Sequence, residues 1–237
     1  MSLPAFLFAT CQIGAEPALK SEMARRYPDW KPAFSRPGFV TFKLEPDHNL
    51  TLIFQLDAVF ARSWGFALGN LPANAPDLVQ QIWKAAGDWP INAVHVFGRD
   101  RKPSGLHHYT PRLEAEDQQL AQALMAARSD LHTWTQPGDL VLDVIRIDEE
   151  QLWQGMHAAN HETGIWPGGF CQITPPENVV SRAYLKMEEA LRWSQFEVRP
   201  GERCVELGCA PGGAAQCLLE HGLEVTGIDP AEIDGSV

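Results

Sequence analysis

No apolar run in this chain approaches the roughly 20 residues that a membrane-spanning helix needs. Basic residues are scarce: 19 Lys and Arg stand against 30 Asp and Glu, for a formal net charge of −11. That balance excludes a protein that coats nucleic acid through overall positive charge. It leaves room for an enzyme that meets RNA through one local basic face. The five cysteines (Cys11, Cys171, Cys204, Cys209, Cys217) form no CxxC pair and no metal-ligand spacing. An odd, scattered set predicts reduced thiols in the cytoplasm. The opening MSLPAFLFATCQIG has an apolar run with no basic residue before it, so it predicts a first strand and not a signal peptide. Internal repeats and low-complexity tracts are also missing. The chain is therefore expected to have no membrane partner and no metal.

At 237 residues the chain can hold more than one core. Leu3 to Cys11 predicts a strand. Ala15 to Arg26 predicts a helix, with Arg25 and Arg26 placed well for its dipole. Pro37-Gly38 marks a turn before a strand from Phe39 to Leu44. Asn49 to Leu56 predicts a second helix, and Phe60 to Leu68 a further strand broken by Gly69-Asn70-Leu71-Pro72. Residues 1–70 thus predict β-α-β-α-β, an α+β unit of ferredoxin-like type. Residues 71–160 predict a second α+β unit: a helix from Asp77 to Ala86, a strand from Ala93 to Phe97, a helix from Leu113 to Ala127, and a hairpin of Leu140 to Ile147 with Leu152 to Ala159. Residues 161–178, rich in Gly and Pro, predict a linker. Val179 to Trp193 predicts a helix.

The last segment is the most specific. Cys204, Val205 and Leu207 form an apolar run that leads into Gly208-Cys209-Ala210-Pro211-Gly212-Gly213. A helical stretch from Ala214 to His221 follows, then Gly222 and a second apolar run that ends at Asp229. Strand, glycine turn, helix, strand and acid open a Rossmann-like α/β nucleotide-binding sheet in residues 179–237. The turn needs small residues because the backbone must bend sharply and then approach a ligand closely. The helix offers free N–H groups at its start, and Asp229 can accept hydrogen bonds from ribose hydroxyls. Glu206 precedes Gly208 by two residues. A carboxylate there would repel a pyrophosphate and suits the ammonium of a methionine moiety, which favours S-adenosylmethionine over a dinucleotide. A nicotinamide-dependent oxidoreductase uses the same plan, and a tight turn with no ligand is the third alternative. Upstream, Lys186 lies in Ser181-Arg182-Ala183-Tyr184-Leu185-Lys186-Met187-Glu188-Glu189-Ala190, with Ser181 as a helix cap. By pattern alone Lys186 is more often a solvated helix lysine than a catalytic one.

SRAYLKMEEA followed by VELGCAPGG resembles the FtsJ-like ribose 2′-O-methyltransferases, and the layout of a ferredoxin-like unit, a THUMP-like unit and then this domain is similar to the M-type enzymes that act on bacterial large-subunit ribosomal RNA. The resemblance implies a Rossmann-like catalytic domain with S-adenosylmethionine as cofactor. It implies that Lys186 is the first of a Lys-Asp-Lys-Glu catalytic set. It assigns Glu206, Gly208, Cys209, Ala210, Pro211, Gly212, Gly213 and Asp229 to the cofactor, with Glu206 where the family usually has aspartate. FATCQIGAEPALKSEMARR is similar to the start of THUMP-bearing RNA methyltransferases, which implies a THUMP-like RNA-binding unit in residues 71–160. The family's remaining Asp, Lys and Glu lie beyond the acid that Asp229 matches. A complete α/β domain would need roughly 100 further residues. The expectation is therefore that this polypeptide shows no turnover alone, and that a homo-oligomer covers the exposed sheet. A binding module for RNA without catalysis is the alternative.

Other candidates are weaker. Arg99, Arg101, Lys102 and Arg182 are candidate RNA contacts, with His107, His108 and Tyr109 beside the first three. Trp166 and Phe170 could stack on a base or pack in a core. His157 and His161 have i, i+4 spacing, but the segment reads as strand then loop, and spacing places no third ligand.

Overall fold

The computed structural model describes residues 2–46, 48–103, 112–160 and 164–235. The chain divides into two compact units, Met1–Phe170 and Cys171–Val237.

The first unit is built on seven strands: β1 (Phe6–Thr10), β2 (Lys31–Arg36), β3 (Phe39–Lys43), β4 (Ser63–Pro72), β5 (Ala93–Gly98), β6 (Leu140–Arg146) and β7 (Gln151–Ala158). They form one sheet in the order β2-β3-β1-β4-β7-β6-β5. Every pairing is antiparallel except β5 with β6. Three helices accompany it: α1 (Glu16–Arg26), α2 (Leu78–Ala86) and α3 (Ala115–Ala126). Successive side chains of a strand point to opposite faces, and here both faces are apolar. Leu7, Phe42, Phe66, Val96, Leu142 and Met156 form one core with Leu19 of α1, Ile82 of α2 and Leu124 of α3. Phe8, Phe39, Phe97, Ile145 and Trp153 form a second cluster to which no helix contributes a buried residue. A short 3-10 turn at Pro167–Gly169 reaches the second face, and a Cβ on Gly168 would lie 2.7 Å from the Phe97 ring.

Four expectations change. Lys31–Arg36 is a strand despite Pro32: it is the edge strand, where a missing N–H costs no ladder bond. The helix expected from Asn49 to Leu56 is not formed. Leu50, Leu52, Phe54, Leu56 and Ala58 pack on the core at every second position, the period of extended chain. The first seventy residues are accordingly β-α-β-β-β and not β-α-β-α-β. The break expected at Gly69 is a bulge inside β4, with Gly69 at φ +137°, and the strand runs on to Pro72. The boundary expected at residue 70 falls within that strand, which pairs with both β1 and β7.

The second unit holds α4 (Ala183–Ser194), β8 (Arg203–Leu207), α5 (Gly213–Glu220) and β9 (Glu224–Ile228). Strands β8 and β9 are parallel, joined through α5, the crossover that parallel neighbours require. Burial alternates along β8, so Val205 and Leu207 are 63% and 76% exposed while Cys204 and Glu206 are half-buried.

Candidate functional site

The chemistry-bearing turn begins where β8 ends. Gly208 has φ +79° and Gly212 φ +117°, a region that glycine enters without steric cost. Between them the Ala210–Pro211 peptide is cis. The Gly208 N–H donates to the Ile228 carbonyl at 2.8 Å, so the turn starts from the β8–β9 ladder. Asp229, one residue past β9, reaches back. Its Oδ2 accepts from the Ala210 N–H at 2.9 Å and its Oδ1 from the Ala231 N–H at 2.8 Å. Those two bonds hold the Asp229 carboxyl below the usual carboxylate range.

Glu206 behaves in the opposite way. Its Oε2 is buried and has no hydrogen-bond partner among the described residues. Burial, and then the negative charge of Asp229, raise its pKa. One carboxylate is thus fixed to the loop backbone, and the other lacks a donor. A buried acceptor left unmatched costs about 1–3 kcal/mol, more when charged, so an incoming cationic donor would be held well there.

Helix α4 reaches this turn at its start. A Cβ on Gly213 would lie 2.2 Å from Ser181 Oγ and 2.9 Å from the Ser181 carbonyl oxygen, so only glycine permits the approach. Ser181 Oγ accepts from the Ala183 N–H at 3.3 Å, as a cap would. Further along α4, the Tyr184 hydroxyl donates to Glu220 at 2.6 Å. Glu188 meets His221 Nε2 at 2.8 Å and accepts from Arg192 Nε at 2.7 Å. Those two groups lower the Glu188 pKa against the effect of burial. Cys217, packed beside Glu188, is pushed up to about 12, first by burial. Lys186 is exposed, two residues from both Tyr184 and Glu188. At 3.6 residues per turn it projects from the side of α4 opposite the α5 contact. The structure thus brings Ser181 and the glycine turn together and leaves the Lys186 ammonium and Arg182 facing solvent.

In the first unit, Arg99 is a structural staple. Its Nε donates to the Ile147 carbonyl at 2.6 Å, and Nη1 to the carbonyls of Pro37 and Asp100 at 3.0 and 3.1 Å. Arg101 and Lys102 are exposed. Phe170 lies under the Arg62 guanidinium, 5.0 Å from ring centroid to Cζ. Trp166 is half-buried. His107, His108, Tyr109 and His161 lie outside the described residues.

One group escaped sequence reading. His95 on β5, Asp143 on β6 and His157 on β7 converge beneath Gly164. His157 Nδ1 is 2.6 Å from Asp143 Oδ2, and its Nε2 is 2.9 Å from the Gly164 carbonyl oxygen. His95 Nε2 is 2.7 Å from Thr135 Oγ1, and His95 Nδ1 is 3.8 Å from Asp143 Oδ1. Burial and the neighbouring His157 keep His95 neutral. Burial raises the Asp143 pKa, while Asp143 lifts His157 against burial, so the two titrate as a coupled pair. The available signal was a titratable residue within each of three largely apolar strands: His95 in AVHVFG, Asp143 in LVLDVIR and His157 near the end of QLWQGMHA.

Residues 179–235 match the family described as FtsJ-like methyltransferase. The chain is 32% identical over 168 aligned positions to "Ribosomal RNA large subunit methyltransferase M" of Alkalilimnicola ehrlichii, covering 67% of this chain and 42% of that protein. It is 27% identical over 261 aligned positions to the protein of the same description from Cellvibrio japonicus, covering 96% of this chain and 68% of the other. A third, from Halorhodospira halophila, is 48% identical over 67 positions, 27% of this chain and 20% of that one. The chain spans between 20 and 68% of the length of these three. Among solved structures, TrmN from Thermus thermophilus aligns over 94% of this chain and 64% of its own, with TM-score 0.41 and 18% identity. The FtsJ-like resemblance first seen in SRAYLKMEEA and VELGCAPGG is thus the one that these comparisons return.

Proposed function

We propose that this chain carries the donor-binding segment of an S-adenosylmethionine-dependent ribose 2′-O-methyltransferase of the FtsJ-like family, acting on large-subunit ribosomal RNA in the cytoplasm. One observation carries the reading: a buried Glu206 oxygen without a donor stands at the mouth of a glycine turn that Asp229 holds in place. That donor set fits S-adenosylmethionine. Glu206 accepts the ammonium of its methionine part. The backbone from Gly208 to Gly213, with Cys209, Ala210, Pro211 and Gly212 between them, admits the donor closely. The remaining lone pairs of Asp229 take the ribose hydroxyls. A dinucleotide pyrophosphate would instead meet the Glu206 charge.

When bound, the cofactor supplies an electrophilic methyl. The chain's own residues orient it and neutralise charge. Lys186 takes from the family resemblance the role of stabilising negative charge as it develops on the 2′-oxygen; its position on the side of α4 away from α5 does not by itself aim it at the donor turn. Arg182, one turn earlier, holds a phosphate. The first unit positions the RNA, its α+β sheet being THUMP-like, with Arg101 and Lys102 at the phosphates; Arg99 shapes that surface through its three carbonyl bonds.

Calorimetry with S-adenosylhomocysteine and with NAD tests the assignment. Saturable 1:1 binding of the first and none of the second is expected. The reverse order, or heat from neither, overturns it.

A further inference from the structure

His95, Asp143 and His157 lie on one face of the sheet. His95 is directly across from Asp143 in the parallel β5–β6 register. Gly155 is opposite Asp143 in β6–β7, so His157, two residues on, is its diagonal same-face neighbour. Among the described residues no α-helix contributes a buried side chain to this face, where Phe97 and Ile145 continue the row. The three side chains are at most 9% exposed.

The arrangement of the ring nitrogens is informative. Both Nε2 atoms point outward to oxygen: His157 to a carbonyl, His95 to a hydroxyl. A carbonyl can only accept, so His157 Nε2 carries a proton. Both Nδ1 atoms point inward, one to each oxygen of Asp143. His95 Nδ1 has no hydrogen-bond partner among the described residues, although it is buried. A ring whose far nitrogen donates to an outer-shell acceptor, with its near nitrogen aimed at a shared point, is how metal-ligating histidines are held.

We propose that His95 Nδ1, Asp143 and His157 Nδ1 form a structural site for a divalent transition cation of the zinc type. Two imidazoles and one carboxylate suit zinc; the absence of further oxygen ligands among the three disfavours calcium and magnesium. Four-coordinate zinc, with ligands at about 2.0–2.1 Å, needs ligand atoms roughly 3.3 Å apart. His157 Nδ1 is 2.6 Å from Asp143 Oδ2, His95 Nδ1 is 3.8 Å from Asp143 Oδ1, and one ligand atom from each of the three residues lies within 4.8 Å of the others, so small side-chain shifts reach that spacing. The fourth position faces a small cavity lined by Gln55, Ser63, Trp64 and Trp166 and takes a water. On binding, the cation replaces the proton between His157 Nδ1 and Asp143 Oδ2, and that proton leaves to solvent. Three bonds from three strands then converge on one ion. The Gly164 carbonyl ties the 164–170 segment to the same centre; a Cβ at Gly164 would lie 2.7 Å from Ala159 Cα, so the approach requires glycine.

The test uses the untagged full chain. A second candidate group, Glu188, Cys217 and His221, is disabled by His221→Ala in every variant. Each protein is refolded from denaturant with zinc or cobalt(II), desalted, and read by metal content and cobalt absorption. Refolding with the metal removes the objection that a buried site is closed to entry. One retained equivalent is expected, with a four-coordinate cobalt spectrum lacking the thiolate band that Cys217 would give. Thr135→Val should weaken binding by about 10–100-fold, and His95→Gln by more. His95→Gln removes the unpartnered Nδ1 and leaves an amide that can still meet Thr135 Oγ1 in place of Nε2, so its fold, checked by circular dichroism, is expected to survive where that of Asp143→Asn does not. No retained metal in the His221→Ala parent overturns the proposal. So does metal that His95→Gln leaves in place.

Discussion

Glu206 and Asp229 show how two like residues at one turn acquire different duties. The Asp229 oxygens each hold a backbone N–H, whereas Glu206 keeps a buried oxygen without one. Glu206→Gln keeps the shape and removes the charge. It should weaken S-adenosylhomocysteine binding by roughly 10–100-fold, the loss of one charge-assisted bond, with little change in stability. The raised Glu206 pKa fixes the pH dependence: affinity should fall as the pH drops through that value, because only the ionised carboxylate attracts the ammonium. Calorimetry across the acid range measures both, and an affinity indifferent to pH and to the substitution would remove Glu206 from the site. Gly213→Ala is the complementary change. Its new methyl would collide with the Ser181 backbone as well as its hydroxyl, so roughly 1–3 kcal/mol of destabilisation is expected. Ser181→Ala in the same protein should relieve only part of it, since the carbonyl and amide contacts remain; full rescue would show that backbone crowding is not the cause.

The segment between residues 49 and 60, which turns where the Phe54 N–H donates to the Thr51 carbonyl, has no sheet partner, yet it is fixed. Five alternate side chains enter the core, and buried Glu22 of α1 accepts the Val59 and Phe60 N–H groups at 3.0 and 3.1 Å. Burial by itself would raise the Glu22 pKa, but those two bonds and Arg26 bring it below its ordinary value. A carboxylate whose folded pKa is depressed adds stability that is complete above the ordinary value. That stability is lost as the pH falls through the depressed one. Glu22→Ala should therefore cost roughly 2 kcal/mol at neutral pH, and the difference from the parent should shrink in acid. Denaturant curves at two pH values decide it; a constant difference would mean the cost is packing and not charge. The misjudged helix at 49–56 belongs here too. Leu50, Leu52, Phe54, Leu56 and Ala58 alternate strictly, which is the period of extended chain, and that signal outranks helical propensity. Where periodicity was strong in α1, β6 and β7, the elements formed close to where their sequence placed them.

Across the whole molecule the two units differ in how much they bury. Among the described residues the apolar clusters of buried side chains lie in the first unit, and the second buries smaller residues such as Ala214, Ala215, Cys217 and Leu218 along α5. In the second, Val205, Leu207 and Ile228 of the β8–β9 pair are more than half exposed. Hydrogen exchange should report this: amides of residues 203–207 and 224–228 are expected to exchange faster than those of β6 and β7, and to slow when S-adenosylhomocysteine is added. Equal protection in the two regions would count against the second unit being the weaker one.

The glycine turn, its flanking strands and the acid after β9 were legible in sequence because each depends on neighbours within about 30 residues: φ angles, a helix start and one short crossover. The tertiary structure alone decided the rest. It joined seven strands between Phe6 and Ala158 into one sheet, committed Arg99 to three carbonyls, and gathered His95, Asp143 and His157 from positions up to 62 residues apart. Strand order and register bring such residues together, and no local pattern in a chain encodes which strands will be neighbours.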